Sequence, residues 1–148
     1  MQIKVKIRPM TLRDIDEVVK IEKQVYTWPW SPWIFFQELI APDRYYFVAE
    51  AEGQIIGYAG LQWVLDEGHI TNIAVRKEWQ RRGVGSLLLE NLISKAKKLN
   101  LKFLTLEVRA SNKAAQKLYK KYGFVIEGIR RNYYVKPLED AVIMTLYL

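Results

Sequence analysis

Apolar and polar residues alternate from Gln2 to Arg8, a period of two that predicts a half-buried strand with Ile3, Val5 and Ile7 inward. Pro9 closes it, and Thr11 before Leu12-Arg13-Asp14 reads as a capping-box start. The period then lengthens. Ile15, Val18, Val19 and Val25 make the apolar stripe of a helix running to about Tyr26, with Glu22 and Lys23 assigned to other faces. Thr27 to Trp33 interrupts the pattern, and Ser31 is placed to cap a second helix with Pro32 in its first turn. Residues 45–51 and 54–65 predict a hairpin turning at Glu52-Gly53. Asp66-Glu67-Gly68 predicts another turn, and a strand over 69–76 follows.

A long helix is predicted from Gly83 to about Leu99, with Val84, Leu88, Leu92, Ala96 and Leu99 at helical spacing and lysines in its last turn, where the dipole favours cations. Residues 102–108 give the next strand. Strand, helix and strand in this order imply a parallel pair with a right-handed crossover. Ser111 is expected to cap a shorter helix ending at Gly123. Strands over 124–131 and 140–148, joined by an irregular segment from Asn132 to Glu139, complete the chain. The sum is an α/β (α+β mixed) fold. Its sheet is twisted, mixed and mostly antiparallel, of about seven strands, with helices on both faces, in one domain spanning 1–148. Ligands of such sheets bind beyond the carboxyl ends of the parallel strands, here Val75 and Glu107.

Composition narrows the chemistry. The chain has no cysteine, so thiolate metal sites and cysteine nucleophiles are excluded. His69 is its one histidine. A zinc site would need carboxylates for its other ligands, so no metal is expected, and His69 is read as structural. The N-terminus lacks the continuous apolar segment of a signal peptide, and no apolar run approaches the ~20 residues of a membrane helix. A soluble, cytoplasmic protein, monomeric or weakly dimeric and without a membrane partner, is the expectation. The net charge of +7 suits an anionic partner, a polyphosphate or a nucleic acid.

Between the fourth strand and the long helix lies Gln80-Arg81-Arg82-Gly83-Val84-Gly85-Ser86. Its glycines allow a tight turn, and the unpaired N–H groups of the helix start attract phosphate oxygens. A Walker loop would need Gly-Lys-Ser/Thr, and a dinucleotide fingerprint a third small residue where Leu88 stands. At the other strand end, Glu107 sits in the apolar run Leu104-Thr105-Leu106-Glu107-Val108-Arg109. It is either the partner of Arg109 or another chain group, or a base whose pKa burial raises. Asn112, Ala115 and Tyr119 share a helix face, on which Tyr119 is either a core aromatic or a phenol presented to a ligand. The tryptophans at 28, 30 and 33 are either core anchors or the wall of a groove.

Together these segments resemble the GNAT N-acetyltransferases, whose acyl-CoA pyrophosphate loop reads Gln/Arg-x-x-Gly-x-Gly/Ala. Leu106-Glu107-Val108-Arg109-Ala110-Ser111-Asn112, Arg130-Arg131-Asn132-Tyr133-Tyr134 and Glu139-Asp140-Ala141 are similar to the RimI-type ribosomal-protein alanine N-acetyltransferases and to archaeal N-terminal acetyltransferases. The resemblance runs from about residue 69 onward, the first 65 residues matching only in order of elements. It implies a GNAT fold whose central parallel pair is splayed at the acetyl-CoA site. It implies that Ile73, Ala74 and Val75 offer backbone groups to pantetheine. Arg81, Arg82, Gly83, Val84, Gly85 and Ser86 would wrap the pyrophosphate, and Asn112 would bond the pantetheine arm. Glu107 would accept the amine proton, Tyr119 would donate one to the leaving thiolate, and Tyr133, Tyr134 and Trp30 would line the peptide groove. The implied reaction is direct transfer from acetyl-CoA to the α-amine of a protein N-terminus, such as the alanine of a ribosomal protein. At neutral pH roughly 10% of an α-amine is free against roughly 0.04% of a lysine, a difference of about 3 kcal/mol that one glutamate need not supply. Acetylation of lysine or a small amine on the same scaffold is the alternative within enzymes. A basic RNA- or ribosome-binding module is the alternative outside them, against which stands the lack of an RNP-like aromatic strand. A catalytically silent CoA-binding subunit is a third, against which stand Glu107 and Tyr119.

Overall fold

The structure, a computed structural model, describes residues 4–148. Seven strands form one sheet in the order β1-β2-β3-β4-β5-β7-β6. In chain order they are β1 (Lys6–Pro9), β2 (Arg44–Ala51), β3 (Gln54–Val64), β4 (Glu67–Val75), β5 (Phe103–Arg109), β6 (Val125–Val135) and β7 (Leu138–Tyr147). The helices are α1 (Ile15–Val25), α2 (Pro32–Ile40), α3 (Val84–Lys98) and α4 (Lys113–Lys121). Every pairing is antiparallel except β4 with β5. Ile3 lies outside the described residues; Ile7 pairs with Ala49 in β1–β2.

Each face of the sheet has its own core. On one, the fully buried Leu88, Leu89 and Leu92 of α3 pack with Phe47, Ile56, Leu61 and Leu104. Burying each such leucine is worth about 1.5–3 kcal/mol. On the other, Val18 and Ile21 of α1 and Phe35 of α2 pack with Val48 and Tyr58.

The geometry that matters is the parting of β4 from β5. They pair only from Glu67–Phe103 to His69–Thr105. Beyond that, β4 stays on β3 as far as Val75–Gly57, and β5 stays on β7 as far as Arg109–Ala141. The register of β3–β4 shifts at Gly60/Leu61, where Asn72 faces Gly60 and Ile70 faces Leu61. Thr71 is therefore an extra residue in β4, and such a bulge bends its strand. The bend carries β4 away from β5 and opens a crevice in the sheet. Gly60 is required beside it: a Cβ there would fall 2.1 Å from the Tyr46 ring. The hydroxyl of that ring lies 2.7 Å from Glu38 Oε1 and 3.1 Å from Thr71 Oγ1, two residues that line the crevice.

Several elements depart from the sequence reading. The turn before β4 falls at Leu65-Asp66, and Glu67-Gly68 already belong to the strand. Asn112, not Ser111, caps α4; its Oδ1 accepts from Ala115 N–H at 3.1 Å, while Ser111 Oγ bonds Glu139 at 2.8 Å. The segment from Asn132 to Glu139 is not irregular. Strand β6 runs on through a bulge after Arg130, and the hairpin turns at Lys136-Pro137 over a cis bond. In α1, Val25 is exposed whereas Glu22 is buried at 1% exposure.

Candidate active site

The crevice has a volume of about 600 Å³. Strand β4 forms one side and β5 with α4 the other, the segment between α1 and α2 covers it, and Tyr133 and Tyr134 of β6 stand at its mouth.

Its charged centre is a chain of three side chains. Glu107 Oε2 lies 2.7 Å from His69 Nε2, and His69 Nδ1 lies 3.2 Å from Gln62 Nε2. The Gln62 amide donates to Nδ1, so Nε2 carries the hydrogen and donates it to the carboxylate. The sequence leaves Glu107 as either the partner of Arg109 or another chain group, or a base whose pKa burial raises. In the structure the pKa is lowered, because the His69 hydrogen bond outweighs the desolvation. Glu107 is thus an ionised acceptor held in place from behind, the arrangement of a base with its orienting group. His69, read as structural from sequence, is the residue that holds the carboxylate. Its partner is far along the chain, and the signal for it was topological. On a parallel pair, His69 stands opposite Thr105, two residues before Glu107 on the same face.

Tyr119 and Asn112 reach the crevice from α4, with Ala115 between them. Tyr119 is buried against Phe124, ring centres 5.7 Å apart. Burial first, and then the Tyr134 phenol, raise its pKa well above that of a free phenol. Tyr134 is itself pushed up to about 12, mainly by burial. Its ring meets Tyr133 edge-on at 5.0 Å.

The open edge of β4 supplies backbone groups. Successive residues of a strand point their N–H and C=O to opposite sides. Ile73 N–H and C=O both face the crevice, each 3.2 Å from the Tyr26 hydroxyl, which accepts from one and donates to the other. Val75 C=O faces the same way and accepts from Gln80 Nε2 at 3.0 Å. Arg76 N–H bonds Ile56 of β3, so Ala74, of the same parity, presents its backbone to β3. Of the three strand residues expected to offer backbone groups, Ile73 and Val75 are therefore on the open edge and Ala74 is turned away from it.

Beyond Val75 the chain enters the glycine turn. Gly83 is the N-cap of α3 with φ of 84°, a left-handed conformation that suits glycine, and Arg81 before it has φ of 62°. Val84 buries its side chain in the α3 core, so Val84, Gly85 and Ser86 present backbone N–H groups at a helix start. The Arg82 guanidinium stacks 4.0 Å over Trp79. This is a cradle for an anion, and the residues present fit a pyrophosphate at this end and a thin polar chain along the open edge of β4.

The three tryptophans part ways. Trp30 is half-buried, 5.3 Å from Phe35 and 6.4 Å from Tyr46, and lines the crevice. Trp28 lines it from an exposed position, and Trp33 is exposed and stacks on Phe36. Trp30 N–H donates to Glu22 Oε2 at 2.8 Å. Glu22 also accepts from Tyr58 and Asn72, although burial raises its pKa. The spacing of Ile15, Val18, Val19 and Glu22 is that of one helix face, so the sequence did carry a signal for this buried anchor. Among the described residues no group of three or more His, Asp or Glu side chains is placed to hold a metal, and no helix is long and apolar enough to cross a membrane.

A model of the acetyltransferase (GNAT) family matches residues 15–124. The ribosomal protein bS18-alanine N-acetyltransferase of Escherichia coli K12 is 41% identical over 143 residues, covering 95% of each chain. The crystal structure of the Escherichia coli ribosomal-protein-S18-alanine N-acetyltransferase superposes with a TM-score of 0.90 at 38% identity, over 97% of this chain and 94% of that one. A GNAT acetyltransferase of Elizabethkingia anophelis, solved with acetyl-CoA bound, gives 0.78 at 27% identity, over 97% and 98%. The anion cradle, the parted strands and the Glu107 carboxylate thus stand in a chain that belongs to the GNAT acetyltransferase family.

Proposed function

We propose that the protein transfers the acetyl group of acetyl-CoA to the α-amine of a protein N-terminus. The observation that carries this is the ionised Glu107 carboxylate in the crevice between β4 and β5, with an anion cradle in the turn that follows β4. Acetyl-CoA supplies the acetyl group as a thioester. The glycine turn and the N-terminus of α3 hold its pyrophosphate, and the β4 edge and Asn112 hold its pantetheine arm. Ile73 N–H, on taking the thioester oxygen, exchanges the Tyr26 hydroxyl for it. Glu107 takes the proton that the amine loses as the C–N bond forms and the C–S bond breaks. The Tyr119 hydroxyl faces the departing sulfur. Tyr133, Tyr134 and Trp30 line the path of the peptide. No cysteine is present to carry the acetyl group, so both substrates are bound together.

The full-length likeness to an enzyme named for the alanine of bS18 supports a ribosomal protein N-terminus as the acceptor, and with it a cytoplasmic place of action. The pKa of Glu107 agrees. A carboxylate held low is a weak base, suited to an α-amine near 8 and poorly matched to a lysine near 10.4. The test is to incubate the protein with acetyl-CoA and a peptide having a free N-terminal alanine and one internal lysine, and to locate the added mass by fragmentation. Acetyl on the α-amine supports the proposal. Acetyl on lysine alone, or no transfer with no binding of CoA, overturns it.

A further inference from the structure

Arg109 lines the crevice, yet the reaction just described gives it no task. It ends β5 two residues beyond Glu107, so the two side chains emerge on the same face. Its Nη1 donates to the Pro137 carbonyl at 3.2 Å and its Nη2 to the Lys136 carbonyl at 3.3 Å, both in the β6–β7 turn. The same Nη2 reaches Thr27 Oγ1 at 3.4 Å, in the segment between α1 and α2. Its guanidinium stacks 4.3 Å from the centre of the Tyr134 ring. The β6–β7 turn follows Tyr133 and Tyr134, and the α1–α2 segment carries Trp28 and Trp30; all four residues line the crevice, so the two segments are two of its walls. A second contact joins them nearby, Lys136 Nζ lying 5.1 Å over the Trp28 ring. A planar fork that serves two carbonyls, a hydroxyl and an aromatic face at once is a task for arginine and not for the point charge of lysine.

We propose that Arg109 is a positioning residue for the acceptor: it ties the two walls of the mouth together and presets the groove through which the acceptor enters. Resting on the proposed acetyl transfer, the inference assigns Arg109 to acceptor binding and not to acetyl-CoA, whose proposed cradle is the glycine turn before α3. Unlatched walls must be ordered by each incoming acceptor, and that ordering weakens its binding.

The experiment is steady-state kinetics of Arg109→Ala and Arg109→Lys with acetyl-CoA and with whichever acceptor the wild type uses, alongside unfolding midpoints. A failure of the α-amine reading then leaves this test in force. A KM for the acceptor raised at least fivefold in Arg109→Ala, with the KM for acetyl-CoA within twofold, is the expected result. Arg109→Lys, which keeps the charge and the stem, is expected to show the same split and decides the matter should the alanine variant not fold. An acceptor KM within twofold of wild type in the lysine variant, or both KM values rising together, overturns the proposal.

Discussion

Replacing Tyr119 with phenylalanine removes one hydroxyl and leaves its packing in place. The ring is buried against Phe124, and phenylalanine fills the same space. The midpoint of unfolding should therefore hardly move, and any change in turnover belongs to the hydroxyl. Tyr119 is no strong acid. Its pKa is raised by burial and by Tyr134. Even an ordinary phenol near 10 gives its proton to a thiolate near 8.5 uphill by about 2 kcal/mol, and the raised value steepens that climb. In the proposed mechanism the hydroxyl is therefore expected to act as a hydrogen-bond donor to the leaving sulfur, without complete proton transfer. A hydrogen bond to a charged group is worth about 1.5–3 kcal/mol. The expected cost of Tyr119→Phe is then a fall in kcat of about 10- to 150-fold. The assay is release of free thiol, followed with a chromogenic disulfide at saturating acetyl-CoA and peptide. A kcat within twofold of wild type would show that the hydroxyl is not at the sulfur. A loss beyond about 1,000-fold would show full acid catalysis and refute the argument from acidity.

Removing the imidazole in His69→Ala leaves burial as the main influence on Glu107, and burial raises its pKa. The acid limb of kcat/KM should move to higher pH; a limb at the wild-type position would contradict the His69–Glu107 coupling. The sign for stability agrees. With its pKa lowered on folding, Glu107 stabilises the fold above its unfolded value and loses that contribution as pH falls through the folded one. Gly83→Ala meets no atom within 4 Å but must hold φ of 84°, so strain of about 1–2 kcal/mol should lower the unfolding midpoint by about 2–8 °C and weaken acetyl-CoA binding. An unchanged midpoint in calorimetry would sink that account. Gly60→Ala drives a Cβ to 2.1 Å from the Tyr46 ring, and soluble protein with wild-type activity would show that the β3–β4 bulge is not packed as described.

The glycine turn and the strand–helix–strand unit around it were legible because their signals are local: paired glycines, an apolar period and a lysine-rich helix end. The place of Glu107 in the crevice was legible, and the direction of its pKa shift was not. Burial can be guessed from an apolar run, but the hydrogen bond that outweighs it comes from His69, on another strand. The parting of β4 and β5 rests on a bulge at Thr71, which leaves no trace in the residue pattern. Strand β6 was cut short because Asn132, Lys136 and Pro137 read as loop, whereas the strand passes its irregularity as a bulge and turns later. Asn112 was expected to serve pantetheine, and its cap to α4 went unnoticed because Ser111 is an equally good capping residue one position earlier. Arg109 was considered as a partner for Glu107, and its actual partners are two carbonyls, a hydroxyl and a ring brought from elsewhere in the chain.

The central claim is that Glu107 is the base for an acetyl transfer in this crevice. Glu107→Gln keeps the shape of the side chain and removes its charge. Its rate of acetylation of an alanine-terminated peptide at pH 7, measured beside its affinity for CoA, tests that claim most directly. General base catalysis of this kind contributes about 100- to 10,000-fold, so the rate should fall by that much while CoA affinity is unchanged. A glutamine variant that turns over within a few-fold of wild type, in a range where chemistry limits the rate, would contradict the account.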